Sequence, residues 1–519
     1  MALLAVLLLQ AAHAATIAVD GLDSTAIQAA LDQAQPGDTV RLAAGEYVIT
    51  DALKPKSGTL LLGAGQEQTV LRFASETSAQ TILLSGVEDV EVAHLAIEGD
   101  SNPRAAQGVF ATSSQRLSLH HLTIRNLVKS DAFGPMGIHF NGTNPTREGG
   151  VSDSVIADCT VENIGVDASF GCGIRLSWGS SRNQVLRCTI RDTGRGGIFG
   201  DNGSNGLIIR DNVVSGSHGE MLGIEVWGGC DRCVIEDNTV DHWLSIGGCD
   251  WCSARRNVVS AKDGTYAFIG IEVIGSFCIV TDNVVDDGQL IGISVSNTNR
   301  KDYVYYANNT VRRCSQWGAQ FQGESTGIAR QYLYRCRFVD QTVGEGRVWF
   351  PGDEGHGFRV NGNTTSMVFE ECEFSDNGRH GLQFVGAGID ALSFLRCTLS
   401  GNQGLAAGGL GEYSALEWID CTVEGNGSDD LPPAKPFPEA APIAAFEAPA
   451  TAKVGEEVAF RCATPDVETA MWDFGDGIPV VGNEVTHTYD QPGEYQVALI
   501  VWAQSGRGSR AARTVVVSP

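Results

Sequence analysis

Gly223-Ile224-Glu225-Val226, followed at Asn238 by an asparagine set between two short apolar pairs, returns as Gly270-Ile271-Glu272-Val273 with Asn283. Working outward, the glycine-led strand recurs at Gly137-Ile138-His139-Phe140, Gly173-Ile174-Arg175-Leu176, Gly292-Ile293-Ser294-Val295, Gly318-Ala319-Gln320-Phe321, Gly357-Phe358-Arg359-Val360 and Gly381-Leu382-Gln383-Phe384. The second element marks Cys159, Cys188, Asn212, Asn238, Asn257, Asn283, Asn309, Cys336, Cys372, Cys397 and Cys421, mostly about 24 to 29 residues apart. Two or three strands of three to five residues in each such period give a stack of coils, every turn burying its apolar positions on the turns above and below.

Alternation within Gly-Ile-Glu-Val sends Ile and Val inward and Glu outward. The asparagines form an internal ladder at a tight bend, because buried amides must be hydrogen-bonded. The pattern resembles the pectate-lyase-like right-handed parallel β-helix superfamily over residues 15–428, including the opening Ala26-Ile27-Gln28-Ala29-Ala30-Leu31 and Gly37-Asp38-Thr39-Val40-Arg41-Leu42. The likeness is specific for an all-β solenoid and weak for activity. A helix from Ser24 to Ala34, capped by Ser24, places Ile27, Ala30 and Leu31 on one face to cover the first coil.

The 519 residues exceed one ordinary core, and 63 glycines with only 19% charged residues suit many tight turns. A formal charge of -26 argues against nucleic acid and anionic membranes as partners. A polyanionic substrate then calls for a cation or a local arginine cluster. Residues 1–14, with an apolar run ending in Ala12-His13-Ala14, read as a signal peptide although no basic segment precedes the run. A secreted, periplasmic or cell-surface monomer without membrane insertion is expected.

Residues 429–442 are proline-rich and read as a semi-rigid linker. Beyond them, Trp472-Asp473-Phe474-Gly475-Asp476-Gly477, Thr486-His487-Thr488-Tyr489 and Pro492-Gly493-Glu494-Tyr495-Gln496-Val497 resemble a PKD domain over 443–519. That resemblance implies an immunoglobulin-like β-sandwich without catalysis of its own, a spacer or accessory module.

In the β-helix superfamily the groove lies over the glycine-led strand. Its outward residues here include His139, Arg175, Phe199 with Asp201, Glu225 with Trp227, Ser245, Glu272 and Arg359. Glu225 and Glu272 stand two coils apart, about 10 Å at the backbone, a spacing compatible with an inverting glycosidase; Asp201 offers a closer partner. Trp227 suits sugar stacking, and His218, His242, Lys262 and Tyr266 lie in the flanking loops. These carboxylates are the expected catalytic set, with Trp227, Arg175, His139, His218, His242, Lys262, Tyr266 and Arg359 as substrate contacts. Outward glutamates are also common on any acidic surface, so the bland reading stands beside the catalytic one.

Hydrolysis of a polysaccharide is the leading expectation. A lyase or epimerase acting on uronates is the alternative, needing a base such as Lys, Arg, His or Tyr and a neutraliser such as Arg or Ca2+. A non-catalytic adhesin or glycan-binding protein is the other class. No cofactor is required, with Ca2+ optional, and no metal ligands are assigned. Cys230-x-x-Cys233 and Cys249-x-x-Cys252 leave a buried thiol ladder, disulfides between coils and a metal site open.

Overall fold

The computed structural model describes residues 14–128, 134–218, 222–241, 243–260, 267–287, 289–296, 301–323, 326–344 and 348–519. The apolar leader, apart from Ala14, lies outside them. Each turn of the coil adds one strand to a thirteen-stranded parallel sheet that runs from Gln80–Ser85 to Ala407–Gly408. The other faces are built from shorter parallel strands, such as Val155–Ala157 with Thr160–Ile164 and, one turn on, Gln184–Leu186 with Thr189–Thr193.

The glycine-led strands stack in register. Ile138 lies beside Ile174, then Ile198, Ile224, Leu244, Ile271, Ile293, Ala319, Phe358 and Leu382. All are sealed inside the coil. Burying each aliphatic or aromatic side chain of this kind contributes roughly 1.5–3 kcal/mol, so the column is a continuous source of stability along the coil.

The bend is set by backbone handedness. Asp158, Arg187, Asp211, Asp237, Arg256, Asp282, Asn308, Arg335, Glu371, Arg396 and Asp420 each directly precede a ladder residue, and their φ values lie between 50° and 59°. One left-handed residue turns the chain and aims the next side chain inward. Its strain is of order 1–2 kcal/mol in an L-residue. The ladder offsets it: Asn212 Nδ2 donates to Asn238 Oδ1 at 3.0 Å, Asn238 to Asn257 at 3.0 Å, Asn257 to Asn283 at 3.0 Å and Asn283 to Asn309 at 2.9 Å. The bend residues themselves point outward and pair between turns, as in Arg187 with Asp158 and Arg256 with Asp237.

A second amide ladder, unforeseen from the repeat, runs through Gln341, Asn377, Asn402 and Asn426. All fourteen cysteines are free thiols. Cys230 and Cys249 stack in one column, Cys233 and Cys252 in the next, through backbone N–H to sulfur contacts of 3.2 and 3.4 Å. Of the three readings left open by the sequence, this is the thiol ladder.

The helix spans Ser24–Gln33 and buries Ile27, Ala30 and Leu31 as expected, but its cap is Asp23, whose carboxylate accepts from Ala26 N at 2.9 Å. Ser24 is instead buried and shares a hydrogen bond with Thr50. The reason is local: Asp23 is the extended residue at the helix entrance, where a carboxylate reaches the free N–H groups.

The C-terminal sandwich pairs a three-stranded sheet with a five-stranded one around Trp472, Phe474, Tyr489 and Val497, with Tyr495 partly buried against them. It does not hang free as a spacer. Met471, Ala498, Ile500 and Trp502, on the opposite side of the strands that bury Trp472 and Leu499, pack on Ile279, Tyr305, Ala307, Tyr332 and Val368 of the coil. Arg255 is buried and forms an ion pair with Asp473 at 2.7 Å while donating to Gly477 O. Arg510 donates to Tyr305 Oη at 2.6 Å and lies over the Tyr334 ring. The linker is pinned too, with Tyr413 Oη and Trp418 Nε1 donating to Pro433 O and Pro432 O.

Candidate active site

Four consecutive turns bring His139, Arg175, Phe199 and Glu225 into one outward row of the thirteen-stranded sheet. A cleft of about 730 Å³ lies over the first three of them. Its walls are Gln107, Met136, His139, Asn141, Asn144, Phe170, Arg175, Ser177, Trp178, Arg195, Phe199, Asp201, Asn202 and Trp227.

His139 is buried between Gln107 Nε2, 3.2 Å from Nδ1, and Ser177 Oγ, 3.0 Å from Nε2. Burial and the neighbouring Arg175 guanidinium hold its pKa down at about 3, so the imidazole is neutral at pH 7. Arg175 Nη2 lies 2.5 Å from Asp201 Oδ2, and Arg195 Nη2 lies 3.2 Å from Glu225 Oε2. Both guanidiniums stand over the Phe199 ring, at 5.2 and 5.0 Å from its centre. Burial pushes the Asp201 carboxyl up from the usual range, against the pull of Arg175. Trp227 closes one end, 48% exposed. Its ring lies on Gly247, where an added Cβ would meet Trp227 Cδ1 at 2.6 Å; only glycine lets the indole lie flat there.

The expected carboxylates share one column, Glu225–Ser245–Glu272, on the outer side of the coil. They are nearly covered, at 6% and 9% exposure, and neither lines the cleft. Glu272 accepts from Ser245 Oγ at 2.7 Å, and burial raises its pKa. Asp201 is the sole carboxylate among the described lining residues. His218 is exposed outside the cleft lining. His242, Lys262 and Tyr266 fall outside the described residues. Arg359 lies seven registers from Arg175 along the sheet, about 34 Å, stacked on Trp317 at 4.4 Å and near Asp353, so it belongs to another part of the face.

Sequence reasoning missed Arg195, Phe170, Trp178 and Gln107. Arg195 sits one residue before its strand, in Gly194-Arg195-Gly196, and the outward-residue rule does not reach it. The glycines flanking it are the available signal.

A pH dependence follows from His139 and from His356, which burial likewise holds at about 3. Unfolded histidines titrate near 6.5. Their stabilising contribution is therefore complete above that pH and is lost as pH falls from 6.5 toward 3, at about 1.4 kcal/mol per unit for each. Denaturation midpoints measured from pH 7 to 4 are expected to fall steadily, and His139→Gln to reduce the slope by about one proton.

The right handed beta helix region model matches residues 80–240 and 242–430, and the PKD domain model residues 439–517. The chain belongs to the right-handed β-helix family and ends in a PKD domain. Among solved structures it is similar to the A-module of mannuronan C-5 epimerase AlgE6 of Azotobacter vinelandii, at 17% identity over 79% of this chain and 95% of that one, TM-score 0.42. It is also similar to an alginate lyase from Paenibacillus sp. str. FPU-7, at 16% identity over 67% of this chain and 99% of that one, TM-score 0.38. A microbial collagenase of Vibrio alginolyticus is 37% identical over 83 residues, which span 15% of this chain and a tenth (10%) of the collagenase.

Proposed function

We propose that this protein is an extracytoplasmic enzyme that acts on a uronate-containing polysaccharide by proton abstraction, as a lyase or epimerase. The observation that carries the reading is the grouping of neutral His139 with Arg175 and Arg195 in one aromatic-walled cleft. Inverting hydrolysis needs two carboxylates facing each other across the glycosidic bond, and the described wall offers one, already paired to Arg175. The leading expectation from sequence thus yields to its alternative.

A uronate carboxylate binds the two guanidiniums, which neutralise the charge that builds as the C5 proton leaves. On this reading they do the work that Ca2+ would otherwise do. The bound anion also raises the pKa of His139 and makes it a competent base for that proton. In elimination the C5–H electrons form the C4=C5 bond, the C4–O bond breaks, and the leaving oxygen takes up a proton. In epimerisation the proton returns to C5 from the opposite face. Phe170, Trp178 and Trp227 offer flat apolar surfaces to the flanking sugar rings.

The purified protein is to be offered alginate, pectin and neutral glycans in D2O. Ultraviolet-absorbing unsaturated ends, or deuterium at C5 without chain cleavage, are the expected results for uronate polymers. New reducing ends without unsaturation would restore hydrolysis, and no change in any polymer would leave a binding protein.

A further inference from the structure

Away from the cleft, three of the ten histidines meet at one corner of the coil. His94 lies in the strand Glu91–Glu98 and His120 and His121 in the strand Ser118–Leu127 of the next turn. The pairs Ala93–His120 and Leu95–Leu122 place His94 opposite His121, and both take the left-handed bend conformation, at φ 58° and 51°. They occupy the column that continues into Asp158 and Arg187. Further along, that column pairs opposite charges between turns, whereas here it stacks imidazole on imidazole, with ring centres 4.8 Å apart.

His120 completes the group. Its Nε2 lies 3.2 Å from Glu91 Oε1; with Nε2–H donating to that carboxylate, Nδ1 presents the lone pair. That Nδ1 lies 3.0 Å from His121 Nδ1. One ring nitrogen from each of the three histidines lies within 4.8 Å of the others. Two imidazole ligands on a tetrahedral zinc ion, at about 2.0–2.1 Å each, stand about 3.3 Å apart. The three rings are partly exposed, and an ion and its water ligand can reach them.

We propose that His94, His120 and His121 form a binding site for one borderline divalent transition metal ion, Zn2+ foremost, with Glu91 orienting His120. The ion clips two successive turns together near the start of the coil. Hard cations are excluded by the donor set, since Ca2+ and Mg2+ take oxygen ligands. None of the three histidines lines the cleft, so this site stands independently of the proposed activity.

The test is calorimetric titration of the metal-stripped full chain with Zn2+, beside Ca2+ and Mg2+. One Zn2+ per chain at micromolar affinity or tighter is expected, with a rise in thermal midpoint and X-ray absorption reporting three nitrogen ligands. His121→Asn keeps a residue that tolerates the left-handed bend and is expected to weaken binding by at least about 100-fold. His120→Gln does the same, and Glu91→Gln weakens it about tenfold. Circular dichroism of each variant establishes that it is folded. Absence of stoichiometric binding to the wild type, or Zn2+ affinity unchanged in folded His121→Asn, overturns the assignment.

Discussion

His139→Asn is expected to lower turnover of a uronate polymer by about 10²- to 10⁴-fold, the usual contribution of a positioned acid or base. The imidazole reaches Gln107 and Ser177 on neighbouring turns, so asparagine, smaller but still polar, limits the loss of fold while removing the proton acceptor. Arg175→Lys makes the companion case. It keeps the charge near Asp201 but forfeits the planar fork and the stacking on Phe199, so KM for the anionic polymer is expected to rise along with a fall in kcat. Steady-state kinetics on whichever polymer responds would decide both. A folded His139→Asn protein with turnover within a factor of a few of wild type removes His139 from the chemistry.

The largest stability effect is expected at the joint between the domains. Arg255→Met leaves Asp473 as an uncompensated charge in a buried interface, and breaking such a pair from one side costs about 3–5 kcal/mol. The double variant Arg255→Met with Asp473→Leu is expected to recover much of that loss, because neither charge is then stranded. Chemical denaturation of the full chain and the rate of proteolytic cutting between residues 429 and 442 are the two readouts. Equal stability of single and double variants would mean that the pair is not what seats the domain.

The solenoid was legible because its repeat is enforced at every turn: one buried apolar column and one amide ladder leave the same mark in each period. The left-handed residue before each ladder position was harder to see, since Asp, Asn, Arg and Glu share that role and no single residue type announces it. The second ladder is short, starts with Gln341 and lies beyond the Asn and Cys positions that define the repeat. At the site, the outward row placed His139 and Arg175 next to each other correctly. It also made Glu225 and Glu272 look open, although their exposure depends on neighbouring side chains such as Arg195 and on loops of irregular length, which periodicity does not describe. The docking of the sandwich had a faint signature in Val497 to Trp502, an apolar run without the alternation of a strand that is wet on one side.

The landing surface for the C-terminal domain, from Ile279 through Tyr305 and Tyr332 to Val368, is gathered from four separate windings and is complete only when the last of them has been laid down. Biosynthesis is thereby given a timetable: the body must be wound before the tail can settle, and until then an aromatic strip stands bare. A chain halted before the tail would meet its neighbours with that strip uncovered, since it is the C-terminal domain that covers the wall it leans on.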